Sequence, residues 1–210
     1  MTHTIEKIET NSAKCPDAIK KTDIPIQYPY IWTIGNLDIL DRNLLGFFCS
    51  VKCPGDIILK TYDLARSFRD AGVTVISGFH SPIEKDFLEI LLRGSQPIVI
   101  CPARGILRIR GPSIWKKAVD DGRLLLLSPF DEKHKWMTVS LAEQRNHFVI
   151  QLGKEHFILY ATPENKTESL CREVIDSGKK VFTFHSKGQN CLAAAGAIAV
   201  EPVEYIMISK

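Results

Sequence analysis

The sequence predicts a doubly wound α/β domain, a largely parallel sheet with helices on both faces. Short apolar runs alternate with amphipathic stretches of about ten to fifteen residues, the spacing of strands joined by helical crossovers. The runs are apolar at every position rather than at every second one, as in the leucines at 124–127. Glycine stands where several of the amphipathic stretches should stop. A strand without a polar face is covered on both sides, so helices lie above and below the sheet. Strand, helix, strand order then implies right-handed crossovers between parallel neighbours.

The first secure pair is an apolar strand over 44–49 and a helix over 57–71, where Leu59, Tyr62, Leu64, Ala65 and Phe68 recur at helical spacing and Gly72 marks the stop. The unit repeats with strands at 73–76, 98–101, 124–127, 156–160 and 180–184. Between them lie helices at 83–92, 113–121, 139–152 and 167–177, three of them followed at once or nearly so by Gly94, Gly122 and Gly178. Ahead of this series, residues 23–30 hold two prolines and read as an extended lead-in to a strand at 31–35. The expected organisation is a leader over 1–27 and one domain over 28–210.

With 210 residues, 45% apolar and 24% charged, the chain buries one core more readily than two. A net charge of +3, from 27 basic against 24 acidic residues, excludes a protein that coats nucleic acid by bulk charge. Any such site is a local patch. Residues 1–14 are polar and mixed in charge, without the apolar segment of a secretion signal, so a cytoplasmic location is expected. The apolar runs are too short to span a bilayer, and no membrane partner is expected. Of six cysteines only Cys49 and Cys53 lie close in sequence, and no second Cys/His pair accompanies them at zinc-site spacing. The thiols are read as reduced, with no metal, no cofactor and no assigned catalytic residue.

In a doubly wound sheet, ligands bind beyond the carboxyl ends of the strands, near the point where strand order reverses. The first such loop, Cys-Ser-Val-Lys-Cys-Pro-Gly over 49–55, offers Ser50, Lys52 and Gly55 before a helix start, a possible phosphate cradle. It fits neither the dinucleotide glycine fingerprint nor the Walker A loop, and by itself it reads first as an ordinary strand-to-helix turn. The second loop presents Ser77, Gly78, His80 and Ser81, the last placed to cap a helix that starts at Pro82. His80 is a candidate ligand or a structural residue beside the cap. Arg104, followed by Arg108 and Arg110, is either a phosphate fork or a solvated basic loop. Lys133, Lys135 and Trp136 combine cations with an aromatic ring, as single-strand contacts do. Arg145 and Asn146 fall mid-helix, where asparagine is unfavourable unless bonded. Lys166 and Thr167, with Thr162 and Asn165, stand at another helix start.

Taken together, several features resemble the DprA/Smf family of DNA-processing proteins: the Tyr-Pro approach with Gly35-Asn36, the strand over 45–50, the Ser77-Gly78 turn, Arg145-Asn146, the Thr167 loop, and the tail from 188–190 to Gly196-Ala197. The resemblance runs from about Tyr28 to Val200. It implies a Rossmann-like core, binding of single-stranded DNA through Ser50, Lys52, Gly55, Ser77, Gly78, His80, Ser81, Arg104, Arg145, Asn146, Lys166 and Thr167, a homodimer, and a RecA-type recombinase as partner, without a catalytic step. The chain departs from the family pattern at Val51 and His147, where arginines are usual, and at 79–84, where the pattern runs toward Gly-Ile-Asp. A nucleotide sensor or a hydrolase similar to the LOG phosphoribohydrolases is the second reading, although the glycine-rich loop of those enzymes is missing at 163–167. A plain interaction protein is the third.

Overall fold

The computed structural model describes residues 4–107, 109, 111–185 and 191–208. In chain order the elements are β1 (Glu6–Glu9), α1 (Asp17–Lys20), α2 (Ile24–Gln27), β2 (Tyr30–Gly35), a 3-10 turn (Leu37–Asp41), β3 (Leu44–Phe48), α3 (Gly55–Ala71), β4 (Thr74–Ser77), α4 (Pro82–Leu92), β5 (Ile98–Ile100), α5 (Ser113–Asp120), β6 (Leu124–Ser128), α6 (Val139–Leu152), β7 (Glu155–Ile158), α7 (Lys166–Asp176), β8 (Lys180–Phe184), α8 (Cys191–Ala194), β9 (Ile198–Val200) and α9 (Pro202–Ile208).

The strands form one sheet in the order β1-β2-β6-β5-β4-β3-β7-β8-β9. From β6 to β9 every neighbour is parallel, while β1 and β2 add an antiparallel edge. The chain thus winds outward from β3 to β6, returns to β7 beside β3, and winds outward again. Strand order reverses between β3 and β7, paired from Leu45 with Glu155 to Phe48 with Ile158.

Successive residues of each inner strand serve opposite cores. Along β6, Leu124 and Leu126 enter the core that holds Phe47, Phe68 and Phe157, while Leu125 and Leu127 enter the one that holds Phe48, Phe148 and Ile158. That division explains the uninterrupted apolar runs: with helices on both faces, neither parity meets water. Helix ends follow local chemistry as well. Gly72 takes a left-handed conformation, φ 75°, where its N–H closes α3 onto Phe68 and Arg69 carbonyls. Thr138, Asn165 and Ser81 cap α6, α7 and α4 through their side-chain oxygens.

His156 sits at the reversal point with no measurable exposure, its ring stacked on Phe48. Gly46 and Gly153 make room for it: a Cβ at Gly46 would stand 2.3 Å from the ring and one at Gly153 2.7 Å. Nearby, the Lys179 ammonium donates to the carbonyls of Ile150, Gln151 and Gly153 and so closes the carboxyl end of α6.

The amino-terminal region differs from expectation. Residues 24–27 form a helical turn instead of an extended lead-in, and Glu6–Glu9 adds a strand to the sheet edge. Ile8, Cys15, Ile19 and Ile24 anchor this region by entering the core one at a time. Single apolar residues separated by polar ones carry neither the helix nor the strand period, so the pattern holds no local signal. Among the described residues no helix is long and apolar enough to cross a membrane.

Candidate nucleic-acid interface

The loops that follow β3, β4, β5, β6 and β7 all leave the same edge of the sheet, because those strands are parallel. At the reversal point the β3 and β7 loops are tied together. The Ser50 N–H donates to the Tyr160 carbonyl at 3.1 Å, and the Ser50 hydroxyl donates to the Thr167 hydroxyl at 3.0 Å. Asn165 donates to Ser50 Oγ and to Thr162 Oγ1, both at 2.8 Å, while its own carbonyl oxygen accepts from the Glu168 N–H and caps α7.

A single carboxylate joins the β3 and β4 loops. Glu84, third residue of α4, accepts from the Cys49 N–H at 3.0 Å on one oxygen and from the His80 and Ser81 N–H groups at 2.8 and 2.9 Å on the other. Ser81 returns the contact by accepting from the Glu84 N–H, which completes a capping box. Amides that the sequence offers to a phosphate are therefore held by an internal anion. A similar substitution occurs beyond β7, where Glu168 accepts from the Glu164 N–H at 2.7 Å and pairs with Arg172.

Arg145 lies beneath this edge, 6% exposed. Its guanidinium donates to the Cys101 carbonyl at 3.1 Å and to Asn146 Oδ1 at 2.8 Å. The same group lies against Gly78, where a Cβ would fall 0.8 Å from Nη1. Gly78 thus allows the arginine, not a ligand, to approach the backbone. Burial lowers the Arg145 pKa, and the nearby Glu84 charge acts the other way. Ser77 completes the underlayer by donating to the Phe47 carbonyl at 2.7 Å.

The β5 and β6 loops are tied to each other through the backbone. The Ser128 hydroxyl donates to the Arg104 carbonyl at 2.8 Å, and the Gly105 N–H donates to the His134 carbonyl at 3.0 Å. Arg104 is half-buried, Lys133 and Lys135 are exposed, and Trp136 is 79% exposed. None of these three cations forms an ion pair among the described residues. Lys52 is likewise exposed and forms no ion pair among the described residues, and a Cβ at Gly55, which opens α3, would meet nothing within 4 Å. Arg108, Arg110 and residues 188–190 lie outside the described residues.

A groove of about 480 Å³ runs along the edge between α6 and α7, with His80, Thr138, Asn146, His147, Lys166 and Leu170 among its walls. Lys166 meets Glu143 at 2.6 Å across it. Burial and the Arg145 charge lower the His80 pKa, which favours the neutral ring. A larger concavity, about 990 Å³, lies at the amino ends of β3, β4 and β7 and holds none of the expected residues.

The structure therefore brings all twelve expected residues to one edge, in three layers. Ser77, Gly78 and Arg145 support it from below, Ser50, Ser81 and Thr167 connect its loops, and Lys52, Gly55, His80, Arg104, Asn146 and Lys166 face outward or line the groove. Sequence reasoning missed Glu84 and Glu168 as acceptors from the loop amides and Asn165 as a cap. The signal was present in Ser81-x-x-Glu84 and Asn165-x-x-Glu168, both of which follow the capping pattern.

No protein-family model and no curated protein matches the sequence. Solved structures do match. The chain superposes on DNA processing protein A from Streptococcus pneumoniae with a TM-score of 0.77 at 15% identity, covering 97% of this chain and 74% of that one. DNA processing protein A from Helicobacter pylori, described for its single-stranded DNA binding mode, gives 0.77 at 17% identity over 99% and 96%. A molybdenum cofactor binding protein from Rippkaea orientalis gives 0.56 at 10% identity over 80% and 95%. The chain thus has the Rossmann-like fold of the DprA structures, the fold that its loop motifs implied.

Proposed function

We propose that this chain binds single-stranded DNA along the carboxyl edge of its sheet, as a DNA-processing protein acting in DNA uptake or recombination. One observation carries the reading: Lys52, Arg104, Lys133 and Lys135 stand on that edge without ion-pair partners among the described residues, and an exposed Trp136 follows Lys135 on the same loop. Cations that track phosphates beside a ring that stacks on a base are what single-strand binding requires. The Helicobacter pylori protein, whose fold this chain shares, is described as binding single-stranded DNA.

The internal carboxylates define the mode. With the Cys49, His80 and Ser81 amides held by Glu84, phosphates are met by side-chain cations and not by a backbone cradle. This disfavours the second reading, a mononucleotide sensor or hydrolase, which needs a dedicated pocket for one phosphate. A homodimer and a RecA-type recombinase partner are further expectations of the family likeness, to be checked by sedimentation and by pull-down with purified recombinase.

Fluorescence polarisation with a labelled single-stranded oligonucleotide, repeated across a salt series, tests the proposal. Affinity should fall steeply with salt, at a slope of about 0.7 per phosphate contact on logarithmic axes. A flat salt response, or a mononucleotide that competes at equal concentration of phosphate, overturns it.

A further inference from the structure

The two outer strands carry an aromatic cluster that none of the loops at the carboxyl edge accounts for. Along β2, Tyr30, Trp32 and Ile34 alternate with Ile31 and Thr33, so the two sets face opposite sides of the sheet. Ile31 and Thr33 are buried, whereas Tyr30 is 38% exposed and Trp32 half-buried. At the other end of the strand Ile34 packs against the core that holds Phe47, and the Asn36 side chain donates to the Gly122 carbonyl just past α5. That helix covers the Gly35 end of β2, and the Tyr30 end is left open. On β1, Lys7 stands opposite Trp32, with its ammonium 3.9 Å from the centre of the Tyr30 ring and 5.6 Å from that of Trp32. The two rings lie 6.5 Å apart, inclined at 57°.

These residues adjoin the open loops. Because β2 runs antiparallel to β6, its first residues lie at the carboxyl end of β6: Trp32 pairs with Ser128, whose hydroxyl donates to the Arg104 carbonyl. The approach to β2 is fixed. Tyr28 sits edge-on to Phe130 and Phe148, and the Thr10 hydroxyl donates to the Tyr28 carbonyl. Tyr30 and Trp32 are thus held on a rigid backbone one strand spacing, about 5 Å, beyond β6.

We propose that Tyr30 and Trp32, flanked by Lys7, form a base-stacking platform that takes a nucleotide of a single strand passing from Arg104 onto the outer strands. The inference rests on the function proposed above and adds where the strand goes. Every base has a π-face, so a ring open on a sheet surface suits a strand of any sequence. Lys7 rests on Tyr30 as an exposed cation–π contact, which base stacking outweighs. An arriving phosphate draws the ammonium off the ring, and the ring face it leaves receives the base. Lys7 forms no ion pair among the described residues, so its charge is free for that exchange. Glu9, opposite Tyr30 on the same face, works against the phosphate.

Photocrosslinking and binding on the full chain test the platform. A single-stranded oligonucleotide carrying 5-bromodeoxyuridine is bound, irradiated and mapped after digestion. Trypsin cuts after Lys21, Arg42, Lys135 and Arg145, so the platform falls on peptide 22–42 and Trp136 on peptide 136–145. Adducts should appear on 22–42, assigned by fragmentation to Tyr30 or Trp32. Tyr30→Leu keeps apolar bulk without a π-face and should lose about tenfold in affinity with the salt slope unchanged, while Tyr30→Phe should bind like the parent. Lys7→Ala should lose about fivefold at 0.1 M salt, with the slope reduced by about 0.7. Glu9→Gln should tighten binding about twofold in low salt, a gain that vanishes as salt is raised. A parent that binds oligonucleotide without an adduct on 22–42, or a Tyr30→Leu variant that binds like the parent, overturns the platform and leaves the proposed function standing. A parent that binds no oligonucleotide overturns both.

Discussion

The loops after β3, β4 and β7 and the loops after β5 and β6 share one edge but differ in how much side-chain positive charge is left without an ion-pair partner among the described residues. In the first group the protein supplies its own anions, Glu84 and Glu168, and the hydroxyls of Ser50 and Thr167 bond to each other. In the second group Asp131 accepts from the Lys133 N–H and pairs with His134, but the side chains of Arg104, Lys133 and Lys135 form no ion pair among the described residues, and Trp136 beside Lys135 in the chain is exposed. The difference teaches that helix starts at a sheet edge are not by themselves anion sites. A carboxylate three residues into the helix satisfies the same N–H groups, and what remains for a polyanion is the side-chain charge on the neighbouring loops.

The sharpest way to break this contrast is at Gly78. Gly78→Ala places a methyl where the Arg145 guanidinium lies, and the arginine has to leave Cys101 and the Glu84 charge. Separating a buried charged group from its partners costs about 3–5 kcal/mol, so urea unfolding should show a loss of that size. Arg145→Ala should destabilise similarly and weaken oligonucleotide binding only through the fold. Normal stability with lost binding would move Arg145 from the support to the contact surface.

A second large effect comes from beneath the β3 and β7 loops. Burial, with Lys179 adding repulsion, lowers the His156 pKa to about 3. The neutral ring is the folded form, so the stabilisation is complete above the ordinary histidine pKa of about 6.5 and is lost as pH falls from there toward 3. At pH 5 the loss amounts to about 2 kcal/mol relative to pH 7. Unfolding at the two pH values measures it, and His156→Leu, which cannot titrate, should flatten the difference.

How much of this was legible in the sequence divides along the same line. The runs at 44–49, 98–101 and 124–127 announced buried strands because both faces are apolar, and the loops that follow the strands at 44–48, 98–100 and 124–128 leave one edge. Ser81 as a cap was legible because capping is local. The partners of Glu84 and Arg145 were not, since Glu84 reaches Cys49 across 35 positions and Arg145 reaches Cys101 across 44. Only the fold makes those residues neighbours. Arg145 thus read as a nucleic-acid contact, and the space for its burial comes from Gly78, which looked like room for a ligand.

Between the two groups of loops, binding should respond unequally. Lys133→Ala with Lys135→Ala removes two unpaired cations and should weaken oligonucleotide binding about 25-fold at 0.1 M salt, with the salt slope reduced by about 1.4. Lys52→Ala, a single contact beside the carboxylate-capped loops, should cost about fivefold. The loss should be uniform across oligonucleotide sequences, as backbone contacts require. Equal effects of the double and single changes would show that both groups of loops engage the strand alike.

The smallest effect tests the boundary itself. Lys166 points into the groove but spends its charge on Glu143 at 2.6 Å, and both side chains are largely exposed. Lys166→Ala should therefore change oligonucleotide affinity less than twofold, because removing a paired cation also frees a carboxylate of opposite effect only at short range and in low salt. Glu143→Gln reverses the situation: it leaves Lys166 uncompensated beside Asn146 and should tighten binding by about twofold to fivefold at 0.1 M salt, the gain vanishing as salt is raised. If Lys166→Ala instead costs as much as Lys52→Ala, the ion pair opens for the strand, and the groove between α6 and α7 belongs with the open loops and not with the capped ones.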